Sequence, residues 1–162
     1  MFSKETYITR RAELKKLTES GLILIFGNND SPANYPANAY KFRQDSTFLY
    51  FFGWQRDGLV GVIDVDNDRE YFVGDEIDID DIVWYGSVTS VGEMAARAGV
   101  ARTAKMRELQ NIVDAAKSSG QEIHFLPPYR FDTKIQIMDL LGLHPAVQKE
   151  ATSRKLIDAV VK

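Results

Sequence analysis

Four consecutive polar residues, Arg43, Gln44, Asp45 and Ser46, stand between a turn-rich loop and a segment loaded with aromatics. Arg43 supplies a planar guanidinium fork suited to a carboxylate, and Asp45 and Ser46 can bond nearby amides and pin the loop to the aromatic segment. The alternative is a structural corner, with Arg43 paired to Asp45 or another carboxylate and the aromatics in the core. The two histidines, His124 and His144, lack a second His or a paired carboxylate at ligand spacing, so packing or solvent exposure accounts for both. Asp64-Val65-Asp66-Asn67-Asp68 starts like a calcium loop. It fails at the sixth position, Arg69, where such a loop needs Gly, and at the twelfth, Asp75, where it needs Glu; a polar hairpin turn is expected instead. Asp75, Glu76, Asp78, Asp80 and Asp81 alternate with isoleucines and read as a solvated edge strand rather than an ion site. No G-x-S-x-G elbow and no Gly-rich phosphate loop occurs.

The composition narrows the classes. The 162 residues fit one domain, and 44% apolar with 11% aromatic residues exclude a disordered chain. Twenty basic residues against 23 acidic ones give a net charge of −3, with no basic excess to displace counterions from nucleic acid. Without Cys there is no disulfide framework, thiolate zinc site or Cys nucleophile. The apolar run Leu22–Phe26 is too short to span a bilayer, and residues 1–11 are charged where a secretory signal needs apolar residues. A cytoplasmic protein with no membrane partner is the expectation.

These residues must be positioned by alternating helices and strands. Residues 4–19 read as a helix capped by Ser3, and Leu22–Phe26 as a strand covered on both faces. Gly27–Ala39 is turn-rich and should hold no regular ladder. Ser46–Phe52 is a strand candidate, and Leu59–Val65 with Glu70–Val73 form a hairpin closed at Asp66-Asn67-Asp68. Ser90-x-x-Glu93 is a capping box for a short helix ending at Gly99. Further helices are expected over 104–117, from Asp132 to Gly142, and from Pro145, with a strand over Glu122–Leu126. Ser153–Lys162 ends with its apolar stripe still running, so the chain is expected to be the front part of a longer protein.

The run Phe42-Arg43-Gln44-Asp45-Ser46-x-Phe48-x-Tyr50-x-x-Gly53 resembles the signature of the N-terminal domain of aminopeptidase P, the Xaa-Pro aminopeptidase and prolidase group. Arg10-Arg11 with Leu14, Leu22–Ile25 leading into Gly27-Asn28, and Trp84-Tyr85-Gly86 extend the resemblance over nearly the whole chain. It implies an α/β fold, a mixed β-sheet flanked by helices on both faces, as in creatinase and prolidase N-terminal domains, with a ribonuclease H-like motif. It implies that residues 1–152 form that domain and that 153–162 begin a linker helix to an absent catalytic domain. The latter would bind two divalent ions, usually manganese, through two Asp, two Glu and one His, and hydrolyse peptides at Xaa-Pro. None of those ligand motifs occurs here, so the chain itself is expected to be inactive and without a cofactor. Its implied partners are its own catalytic domain and further copies in a dimer or tetramer.

By position, the resemblance makes Trp84 a wall of the substrate pocket, with Phe42 and Arg43 as further pocket or interface residues. Gln44, Asp45, Ser46, Phe48, Tyr50 and Gly53 are the structural signature. A packing anchor is the competing role for Trp84. The same domain type also occurs as an interaction module without peptidase activity, including in a histone-chaperone subunit, which is the alternative function. A nuclease reading rests on sheet topology alone and would need acidic magnesium ligands at one sheet end.

Overall fold

The computed structural model describes residues 2–77 and 88–161. The central element is the strand Leu22–Phe26 (β1), whose residues alternate between two cores. Ile23 and Ile25 enter one cluster and Leu22 and Leu24 the other. That two-sided burial explains a run with no polar alternation, because both faces carry helices.

Strand β1 pairs antiparallel with the strand Val60–Asp64 (β4), which pairs antiparallel with Arg69–Val73 (β5). The outer pairings are parallel: β5 with Arg102–Ala104 (β6), and β1 with Ile123–Phe125 (β7). The resulting order is β6-β5-β4-β1-β7, a mixed five-stranded sheet as the sequence led us to expect. Asp64 closes the hairpin, its carboxylate accepting from the Asn67 amide at 3.2 Å and side chain at 2.8 Å. A polar turn is thus what the calcium-like run forms.

One face is covered by the helix Lys4–Thr18 (α1), the helix Ser46–Phe52 (α2), the helix Val91–Ala98 (α3) and the final helix, Arg154–Val161. The other face carries the helices Leu109–Ser118 (α4) and Phe131–Leu141 (α5). A short helix, Pro145–Gln148 (α6), starts with proline at its first turn, and α7 is the final helix. In α1 the buried residues Tyr7, Arg11, Leu14 and Thr18 form one stripe. Arg11 is fully buried and ties four elements together. Its Nε donates to Glu70 at 2.8 Å, Nη1 to the Phe51 carbonyl at 2.8 Å and Nη2 to the Gly99 carbonyl at 3.1 Å.

The segment 46–52 is a helix and not the expected strand. Its aromatics favour a strand locally, but two end signals outweigh them. Asp45 Oδ1 accepts from the amides of Thr47 and Phe48, both at 2.9 Å, and Gly53 adopts φ +78° and closes the last turn on Leu49. Phe48, Phe51 and Phe52 then share one buried face, while Tyr50 stays half exposed. The Phe52 ring lies over Gly61, where a Cβ would fall 2.0 Å from the ring. Phe48 and Phe52 stack at 5.1 Å, and both meet Phe72 edge-on.

Smaller corrections concern loops. The turn-rich region holds a two-stranded ribbon, Pro32–Tyr35 (β2) with Asn38–Ala39 (β3), whose residues are all exposed. Residues 106–108 form a 3₁₀ turn before α4. The cap of α5 is Arg130, with Asp132 in the first turn. The acidic stretch is not an edge strand where it is described: Asp75 accepts from the Met106 amide and Glu76 from the Val91 amide, each at 3.0 Å. Asp78, Asp80 and Asp81 lie outside the described residues. His124 is fully buried, with Nδ1 2.7 Å from Ser153 Oγ and Nε2 2.8 Å from the Ser20 carbonyl, so it fastens α7 to the turn after α1. His144 caps α6, accepting from the Ala146 amide.

Candidate functional site

The loops that follow β1 and β7 leave the sheet together, because those strands run parallel. Crevices at the carboxyl ends of parallel strands are where α/β folds collect ligands. The Arg43–Ser46 run meets both loops there.

Gln44 holds the assembly together. It is 1% exposed, and its Oε1 accepts from the Asn28 amide at 2.6 Å and the Asp45 amide at 2.9 Å. Its Nε2 donates to the Arg56 carbonyl at 2.5 Å. The chain can pass this closely only because residue 27 is glycine: a Cβ there would sit 2.7 Å from the Leu59 carbonyl and 3.0 Å from Gln44. The side chain of Asn28 donates to the Arg43 carbonyl at 2.8 Å. The backbone of Arg43 is thereby fixed while its side chain is exposed. Arg43 is in no ion pair among the described residues, so the paired corner does not form.

The loop after β7 supplies Tyr129 and Arg130, which the sequence reading missed. Tyr129 donates its hydroxyl to Asp45 Oδ2 at 3.0 Å and Asn28 Oδ1 at 3.3 Å. Its ring is exposed, but shelter of the hydroxyl pushes its pKa up, and the adjoining Asp45 carboxylate adds to the rise. Arg130 donates to the Asn29 carbonyl at 2.9 Å, to Ser31 Oγ at 2.7 Å and to Asp132 at 3.0 Å. Partial burial raises the Asp132 carboxyl, but Arg130 and Asn29 outweigh it and hold the pKa below the usual value. The available signal was Pro127-Pro128, which stops a strand and forces the next residues to its carboxyl end.

Phe42 is half-buried beside Arg43, and Ser46 is exposed on the same cleft. Phe48 and Gly53 belong to the core side of α2, and Tyr50 takes Arg10 over its ring at 3.9 Å. Trp84, with Tyr85 and Gly86, lies outside the described residues. Among the described residues no group of three or more His, Asp or Glu could hold a metal ion, and no helix is long and apolar enough to cross a membrane.

No curated protein matches the sequence. Among solved structures, aminopeptidase P from E. coli shares the fold with a TM-score of 0.72 at 19% identity, covering 88% of this chain and 33% of that one. Pseudomonas aeruginosa aminopeptidase PepP gives 0.73 at 16% identity, covering 94% and 35%. The chain therefore spans about a third of the length of the structures it matches, and at such identities the likeness establishes the fold. The sequence carries the rest: a family model described as the aminopeptidase P N-terminal domain matches residues 7–124, and the chain belongs to that family.

Proposed function

We propose that this chain is the non-catalytic N-terminal part of a metal-dependent Xaa-Pro aminopeptidase or dipeptidase, where it assists oligomerisation and shapes the substrate pocket. Support comes from the family match together with the one-third coverage of two longer aminopeptidase P chains, which leaves room for a separate catalytic domain. Residues 1–152 form the domain in this reading, and 153–162 lead toward the catalytic part. The described residues do not fit a pair of divalent ions, manganese or other, so no chemical step is assigned to them.

The pocket role falls on Trp84, Phe42 and Arg43. A rigid indole can wall a proline ring without adding charge, and Phe42 and Arg43 sit on a loop that Gln44 and Asn28 hold in place. Exposed aromatics on the same cleft, Tyr40 and Tyr129, suit contact with a second copy or with the catalytic domain. A cysteine-free composition is compatible with the cytoplasm, where we place the protein.

The test is Trp84→Ala in the full-length protein. KM should rise or kcat fall for Xaa-Pro peptides while the melting temperature holds; unchanged kinetics would assign Trp84 to packing. The 162-residue chain with stoichiometric manganese should release nothing from the same peptides, and turnover there would overturn the division of labour. If the full-length protein lacks Xaa-Pro activity, the interaction-module reading replaces this one.

A further inference from the structure

Two clefts open at the carboxyl ends of β1 and β7, and both are lined by Asn28 and Tyr129. The first, of about 300 Å³, has an apolar floor that includes Ile25, Leu126, Pro127, Ile157 and Val160, and carries Asp45 at its wall. The second, of about 420 Å³, is lined by Lys41, Arg43 and Arg130 beside Tyr40. No carboxylate is among its described lining residues, although the chain as a whole is acidic.

Two of the three cations of this second cleft differ from those elsewhere, the third, Arg130, being paired with Asp132 at 3.0 Å. Arg11 is met by Glu70, and Lys15 by Asp68 and Glu70. Lys41 and Arg43, by contrast, are exposed and in no ion pair among the described residues. Arg130 uses Nε and Nη2 for its contacts to Asp132, Asn29 and Ser31, and Nη1 takes no part in those bonds. The backbone beneath Arg43 is locked by Asn28 and Gln44, so less freedom is lost when its guanidinium engages a ligand.

The charge layout has a direction. Asp45 repels an anion from the apolar cleft, while the uncompensated charges of Lys41 and Arg43, with the spare Nη1 of the Asp132-paired Arg130, attract it to the neighbouring one. Tyr129, tied at its hydroxyl to both Asp45 and Asn28, is the fixed wall between them. A ligand matching both clefts has an apolar body and one terminal carboxylate. We propose that the joined clefts bind the carboxyl end of a short apolar peptide, with its carboxylate among Arg43, Lys41 and Arg130 and its last side chain beside Leu126 and Ile157. This rests on the pocket-shaping reading and names the group that the pocket reads.

The experiment is a titration of the nitrogen-15-labelled 162-residue chain with Ala-Pro-Leu, with its C-terminal amide, and with acetate, tracking the amides of residues 28–31, 41–46 and 129–130. The free tripeptide should give saturable shifts. Affinity should fall at least about tenfold for the amide and for Arg43→Gln, the loss of one charge-assisted hydrogen bond. It should hold for Arg107→Gln, an exposed arginine outside both clefts. Arg43 is exposed, so its substitution leaves the fold intact. Equal binding of peptide and amide, saturation by acetate at the same concentration, or no saturable shift would each overturn the proposal. Carboxylate-dependent binding in a protein whose full-length form cleaves no Xaa-Pro bond would keep this site and remove the peptidase reading, so the two failures are distinguishable.

Discussion

Replacing Gln44 with alanine removes three hydrogen bonds at once and vacates a buried position. The Asn28 amide suffers most: it is buried, and Gln44 Oε1 is its acceptor, so it is left unsatisfied at a cost of about 1–3 kcal/mol. The Asp45 amide and the Arg56 carbonyl are nearer water and lose about 0.5–1 kcal/mol each. The vacated volume adds about 1 kcal/mol. The sum is about 3–6 kcal/mol, a large share of the stability of an ordinary domain. For a chain of this size it corresponds to a melting temperature lower by roughly 6–24 °C. The neighbouring Arg43→Ala, whose side chain is exposed, should stay within about 0.5 kcal/mol. Urea unfolding of both variants, with calorimetry, reads the difference. A loss below about 1 kcal/mol for Gln44→Ala, or equal losses at the two positions, would refute the role given to this glutamine.

Arg11→Met should cost about 2–5 kcal/mol, because it leaves the Phe51 and Gly99 carbonyls without their donor against a buried methionine, while Glu70 keeps Lys15 as its partner; denaturant midpoints check it. Gly61→Ala should destabilise by about 1–3 kcal/mol in the same assay, since the new methyl meets the Phe52 ring; pairing it with Phe52→Leu should recover part of the loss. Asp132 has a folded-state pKa below its ordinary 3.8, so its stabilising effect is complete above about pH 4 and is lost as pH falls through the lower folded value. Thermal melts from about pH 7 to about pH 2.5 should fall more steeply at the acid end for the native chain than for Asp132→Asn.

Much of the frame was legible because its signals are local. Ser3, the Ser90–Glu93 box, Gly99 and Pro145 mark helix ends where the structure has them. The unbroken apolar run of β1 announced a strand buried on both faces. Over 46–52 the residue types favour a strand while the ends, Asp45 and Gly53, favour a helix, and the ends prevail. At the site, the Phe42–Ser46 run located one wall. The opposite wall, Tyr129 and Arg130, stands about a hundred residues from Asn28 and Asn29 and reaches them through the pairing of β1 with β7. A strand's choice of a parallel partner is written in the whole sheet and not in either segment.

The first and last helices pack together: Leu14 and Leu156 share one core, and Lys155 meets Glu19 at 2.6 Å. During synthesis α1 leaves the ribosome about 140 residues ahead of α7. At ordinary elongation rates it waits on the order of ten seconds for that neighbour. Over this interval the nascent polypeptide carries an uncovered greasy flank that chaperones can hold until α7 arrives to cover it.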